Sequence, residues 1–218
     1  MAKKKNVLTC GDCATVNCNS RTSVFPAFCL TEAEDKQEIE EVSRIYREDP
    51  LVSKISNAAA EVEGTYYGRL TRVEEVAAFA RRIKAKKVGI ATCVGLINET
   101  KNFIKFLDAQ GIQSYTVACK VGSVDKTELG IPEEHKINKG QHESACNPVL
   151  QARILAREKT DLNIIVGLCV GHDSMFIKYS KAPVTYLVVK DRVLAHNPVG
   201  ALYTSHSYYK RLADKRDL

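Results

Sequence analysis

Three short strand-like runs in this sequence end alike, and that repeat constrains the fold more than any other feature. Residues 88–92 lead into Cys93-Val94-Gly95, residues 114–118 into Cys119-Lys120-Val121-Gly122, and residues 162–168 into Cys169-Val170-Gly171. The third run is apolar almost throughout, as a strand covered on both faces should be. Helical patterns separate the runs. Residues 98–110 carry Phe103, Ile104 and Leu107 on one side and stop at Gly111. Asn147-Pro148 reads as a helix start, with Asn as the cap and Pro at the first helical position, and that helix is expected to run to about residue 159. A further helix is expected after Asp173, with Asp173 or Ser174 as its cap. A fourth strand is expected over residues 184–189, and Asp191-Arg192 then turns into a short strand over residues 193–196. Strands alternating with helices predict an α/β fold, a mostly parallel open sheet with flanking helices.

The carboxyl ends of parallel strands open on one edge of the sheet, where ligands bind. Neighbouring strands lie about 4.8 Å apart, so thiols at successive strand ends can converge. Cys93, Cys119 and Cys169 occupy such ends, and Cys146 stands immediately before the Asn147-Pro148 helix start. There a helix dipole favours a thiolate. These four cysteines form the candidate cofactor-binding set. The competing reading is four buried thiols serving as small hydrophobes. Lys120, His172 and Asp173 crowd the same edge and are the candidate catalytic groups, with His172 as proton donor.

A second set lies at the N-terminus. Cys10, Cys13, Cys18 and Cys29 give a C-x2-C-x4-C-x10-C run. Four soft thiolates at that spacing suit a zinc ion or an iron–sulfur cluster. Gly11, Asp12, Asn17, Asn19 and Pro26 are turn formers that let the segment fold back on itself.

The chain is expected to form a single domain in three stretches. Residues 1–32 are the cysteine-rich metal-binding segment, residues 33–85 are helical, and residues 86–218 are the α/β body. In the helical stretch Ile39, Val42 and Ile45 recur at helical spacing over residues 32–47, and Pro50 interrupts the pattern. Two more helices are expected over residues 51–62 and 73–83, the second with a Thr71–Glu74 capping box. Residues 120–145 are long, polar and glycine-bearing, and read as a lid over a site or as a surface insertion.

The net charge is +6, without a basic stripe interleaved with aromatics, so nucleic acid is not an expected partner. No apolar run approaches the roughly 20 residues that span a bilayer. Residues 1–5 are basic without an apolar run behind them, unlike a signal peptide. The expected compartment is the cytoplasm, with reduced thiols. The sequence has no G-x-G-x-x-G, P-loop or G-x-S-x-G motif, so nucleotide binding and serine hydrolysis lack their usual support.

On Cys10-x2-Cys13-x4-Cys18, Ala91-Thr92-Cys93-Val94-Gly95-Leu96, Cys119-Lys120-Val121-Gly122, Cys146-Asn147-Pro148, Gly167-Leu168-Cys169-Val170-Gly171-His172-Asp173 and Lys190-Asp191-Arg192-Val193-Leu194-Ala195-His196-Asn197-Pro198, the chain resembles a family of bacterial and archaeal proteins. That family is known as a domain of unknown function and described as predicted metal-binding proteins. The resemblance implies metal binding and supplies no reaction.

Three functions follow as expectations. The first is an iron–sulfur redox protein or oxidoreductase. One centre, of 4Fe-4S type, would sit on the strand-end cysteines and a second on the N-terminal set, with a redox partner protein and an unidentified small-molecule substrate. The second is a zinc-stabilised protein that binds a ligand or regulates a partner. The third is a thiol enzyme with Cys146 or Cys169 as nucleophile and His172 as base.

Overall fold

The computed structural model describes residues 7–215; the basic start at residues 1–5 lies outside them. The chain divides into two compact units, one ending at Asn57 and the other beginning at Ala58. Among the described residues, no helix is long and apolar enough to cross a membrane.

The first unit is built from short pieces. A 3-10 turn at Cys10–Asp12 is closed by a Thr9–Asp12 capping box. The single-turn helices α1 (Asn17–Ser20) and α2 (Leu30–Ala33) follow, then α3 (Lys36–Glu48) and the start of α4 (Pro50–Tyr66). Val16 and Arg21, on either side of α1, take left-handed φ of 45° and 53°. The buried Asn17 amide holds that turn, accepting from the Ser23 N–H at 2.9 Å and donating to the Ser23 carbonyl. The helix expected over residues 32–47 is two helices. Asp35 breaks it by capping α3, its carboxylate accepting from the Gln37 N–H at 2.9 Å.

The second unit is the α/β body. Its elements are α5 (Arg72–Arg82), β1 (Lys87–Thr92), α6 (Ile97–Ala109), β2 (Gln113–Ala118), α7 (Pro148–Arg157), β3 (Leu162–Val166), α8 (His172–Tyr179), β4 (Val184–Val188) and α9 (Val199–Tyr203). The expected Thr71–Glu74 capping box is present, and its hydrogen bonds hold the Glu74 carboxyl below its usual range. Asn147 caps α7, accepting from the Leu150 N–H at 3.0 Å.

The four strands are all parallel, in the order β2-β1-β3-β4. The two inner strands are β1 and β3, and they are the almost continuously buried ones. Side chains alternate between two cores. Val88, Ile90, Ile164 and Val166 meet Val76, Ala80, Phe103 and Leu107 on one face. Ala91, Val117 and Ile165 meet Ala152, Leu155 and Phe176 on the other. Thus α5 and α6 cover one side and α7 and α8 cover the other. The chain steps from β1 outward to β2, then back across β1 to β3, which makes β1/β3 the topological switch point.

Two expectations need correction. The third strand stops at Val166, because Gly167 takes φ 67° and turns the chain. A Cβ there would lie 2.1 Å from Leu96 Cδ1, so only glycine fits. Residues 193–196 are not a strand. The Asp191 carboxylate accepts from the N–H groups of Val193 and Leu194, and the His196 ring accepts from the Asp191 N–H at 3.1 Å. Ala195 and His196 sit at φ 49° and 63°, a closed turn rather than extended chain.

Residues 120–145 have a built interior. Asp125 pairs with the buried Lys136 at 2.9 Å, and Lys136 also pairs with Glu133 at 2.8 Å. Lys126 pairs with Glu143, whose carboxylate accepts from the N–H groups of Ile137 and Asn138. An antiparallel bridge joins Asp125 to Ser144, and the Ala145 N–H donates to the Val124 carbonyl at 2.8 Å.

Candidate functional site

Sheet register brings the first two strand-end thiols together. Ala91 pairs with Val117 and Thr92 with Ala118, so Cys93 and Cys119 are the next rung. The ladder continues through them. The Cys93 N–H donates to the Val166 carbonyl at 3.0 Å and the Cys119 N–H to the Thr92 carbonyl at 2.8 Å. Both side chains fall on the face of Ala91 and Val117 and are buried there. The Gln151 amide of α7, wholly buried, donates to the Val117 carbonyl at 2.7 Å and the Thr92 carbonyl at 3.3 Å, tying the two strand ends together.

Cys146 reaches the same place from the far end of the loop. Its successor, Asn147, donates a backbone N–H to the Cys119 carbonyl at 2.7 Å. The Cys146 and Cys119 sulfurs are then 3.7 Å apart. Cys119 has Cys93 on the neighbouring rung on its other side and accepts from the Val94 N–H at 3.4 Å. Three thiols therefore form a chain with Cys119 in the middle.

The electrostatics follow from that order. Cys119, flanked by two sulfurs and buried, is pushed far up and keeps its proton. Its single S–H can donate to one neighbouring sulfur at a time and stabilises the thiolate that receives it. Cys93 falls to about 5, helped by the Gly95 N–H and by Lys190, whose Nζ lies 3.4 Å from the sulfur. Cys146 falls to about 4, through Cys119 first, then the hydrogen-bonded His172 ring and the nearby Lys120. The same contact raises His172 above its ordinary value, so thiolate and imidazolium support each other.

Cys169 stands differently. It lies three residues beyond the end of β3, and its sulfur takes the Arg192 guanidinium at 2.9 Å. Among the described residues no hydrogen bond joins it to the other three sulfurs. Lys120 itself donates to the Ser144 carbonyl, tying the two ends of the loop. Asp173 and Ser174 do not cap α8: the helix begins at His172 with Gly171 as its cap. Asp173 instead accepts from the Tyr186 hydroxyl of β4 at 2.9 Å. Burial, then that carboxylate, pushes Tyr186 up to about 12. Lys190, Arg192 and Tyr186 were not among the expected site residues. Their one signal is position, since all three lie on β4 or just past it.

In the first unit the sulfurs stand at or near the surface. Cys10 and Cys18 are exposed, Cys13 and Cys29 half-buried, and all eight cysteines are free. Cys13 accepts from the Val16 N–H at 3.4 Å and lies 3.6 Å from the Thr15 hydroxyl. These bonds, Thr15 foremost, lower its pKa below the ordinary thiol value. Among the described residues, no group of three or more His, Cys, Asp or Glu side chains is arranged to hold a metal ion.

A family model described as "Protein of unknown function (DUF1847)" matches residues 29–187, a span that includes Cys93, Cys119, Cys146, Cys169 and His172. The uncharacterized protein MJ0455 of Methanocaldococcus jannaschii is 46% identical over 187 residues, covering 85% of this chain and 94% of that protein. The chain therefore belongs to the DUF1847 family of proteins of unknown function.

Proposed function

We propose that this protein is a thiol-dependent enzyme acting on a small electrophilic molecule, with Cys146 as nucleophile and His172 as its acid–base partner. The observation that supports this most is the position of the Cys146 sulfur, between the His172 ring and the Cys119 sulfur 3.7 Å away. A nucleophile within hydrogen-bond reach of a base, at the ligand-binding edge of a parallel sheet, is the arrangement thiol chemistry needs. The N-terminus of α7 favours the thiolate further. Lys120, Lys190 and Arg192 make the edge positive, so an anionic substrate is favoured. The test is iodoacetamide labelling against pH, read peptide by peptide. Cys146 is expected to label with a midpoint well below the ordinary thiol value of about 8.5. His172→Gln should raise that midpoint. Labelling of Cys146 no faster than that of Cys10 and Cys18 would reject the reading.

A second reading, a redox protein holding an iron–sulfur cluster or zinc, rests on the same distance. Two thiolates on one tetrahedral zinc with bonds of about 2.3 Å lie about 3.8 Å apart, close to the Cys119–Cys146 separation of 3.7 Å. Among the described residues neither cysteine set forms a ready ligand shell. Iron, sulfide and zinc analysis of anaerobically purified protein separates the two readings. Stoichiometric metal lost in Cys119→Ser would favour the second; metal-free protein with a reactive Cys146 would favour the first.

A further inference from the structure

We propose that Cys119 and Cys146 are the two halves of a reversible disulfide, with Cys119 resolving the adduct that Cys146 forms on a small-molecule disulfide. The inference rests on the reading of Cys146 as nucleophile and adds the reaction. Its basis is geometric. The two sulfurs are already 3.7 Å apart, and the Asn147 N–H to Cys119 carbonyl bond of 2.7 Å pins their backbones together. A disulfide needs sulfurs that can close to about 2 Å on backbones already held near each other, and the short sulfur contact and the backbone bond supply that start. The cross-link would close the neck of residues 120–145. That neck is already zipped by the Asp125–Ser144 bridge, by Ala145 N–H to the Val124 carbonyl, and by Lys126 N–H to the Glu143 carbonyl. Forming the bond therefore asks for side-chain rotation without rebuilding the loop.

The steps balance. The Cys146 thiolate attacks one sulfur of RS–SR; the Cys146–SR bond forms, the S–S bond breaks, and the departing RS⁻ takes the His172 proton. With Cys146 now neutral, one of the two anions that kept Cys119 protonated is gone. Cys119 passes its proton to the sulfur of Cys93 on the neighbouring rung and attacks the Cys146 sulfur. The second RS⁻ leaves and takes a proton from water, and the Cys119–Cys146 bond remains. Two protein thiols are oxidised and one disulfide is reduced to two thiols. Cys93 acts as the proton acceptor of the second step.

The experiment treats the reduced, full-length chain with oxidised glutathione under anaerobic conditions, quenches with acid, and maps the products by mass spectrometry. The expected product is the Cys119–Cys146 bridge, with two glutathione thiols released per chain. Cys119→Ser should stop at a Cys146–glutathione adduct with one thiol released. Cys93→Ser should reach the bridge through a longer-lived adduct, and it perturbs the buried pair less should Cys119→Ser fail to fold. A lasting Cys146–glutathione adduct in the unaltered chain, or a bridge between Cys93 and Cys119, would overturn this inference and leave a nucleophilic Cys146 intact. Absence of any Cys146 adduct or bridge in the unaltered chain would overturn the nucleophile reading beneath it.

Discussion

Cys13 and Cys146 are both more acidic than an ordinary thiol, yet the groups responsible come from different distances along the chain. Cys13 takes its hydrogen bonds from Thr15 and Val16, two and three residues away. Cys146 meets Cys119, 27 positions earlier, and His172, beyond the whole of β3. The first environment exists wherever that short turn exists. The second exists only when the sheet, the loop neck and the start of α8 are all in place. Sequence neighbours set the surroundings of Cys13, whereas strand register places Cys93 beside Cys119 and the loop neck brings Cys146 to them.

The largest expected effect tests that contrast directly. Cys119→Ser removes the shared thiol, and the Cys146 thiolate midpoint, read from thiolate absorbance or labelling rate, should rise by about 2 pH units or more toward the ordinary thiol value. The counterpart, Thr15→Val, should move Cys13 by less than about 1 unit. Equal shifts would break the distinction between the two sets.

A stability effect of middle size comes next. Gly167→Ala places a methyl against Leu96 and forces a left-handed residue, so the second unit should lose about 1–3 kcal/mol. Thermal melting monitored by amide exchange should register this in β1 and β3, while the amides of residues 16–23 keep their protection. A loss shared by both units would mean that they unfold together.

The smallest effect concerns the loop. Lys136 foremost holds Asp125 far below the carboxylate range, and the Asn138 N–H followed by Lys126 holds Glu143 at about 2. Lowered carboxyl values add stability that is complete above the unfolded value of about 4 and is lost as pH falls through the folded values. Amide exchange at Ile137 and Asn138, corrected for its intrinsic pH dependence, should therefore accelerate between about pH 4 and pH 2. Protection unchanged at pH 2 would show that the backbone bridge alone holds the neck.

Much of the fold was legible because its signals are local. The β1 and β3 apolar runs, the Thr71–Glu74 box and the Asn147-Pro148 start each carry their reason within a few residues. The convergence of Cys93 and Cys119 was legible too, since parallel strand ends share an edge. The site's charged frame was not. Lys190 and Arg192 act on sulfurs 97 and 23 positions away, and nothing around them marks a cation aimed at a thiol. The turn that carries them uses Ala195 and His196 in the left-handed region, where sequence reasoning looks for glycine or asparagine. Asp173 illustrates a different failure: its helix-start position suggested a cap, but the Tyr186 hydroxyl across the sheet edge claimed the carboxylate.

The rung shared by Cys93 and Cys119 gives the strands a parity. Side chains alternate faces with each residue, so one residue inserted between Gly89 and Cys93 would turn that thiol toward Phe103 and Leu107 under α6. Two inserted residues would restore the face but push the thiol about 6.6 Å past its neighbour. Neither change preserves the chain of three sulfurs. The spacing from strand to cysteine is thus a phase condition on β1 and β2 alike, and length variation in this body belongs in the segments that do not set that phase.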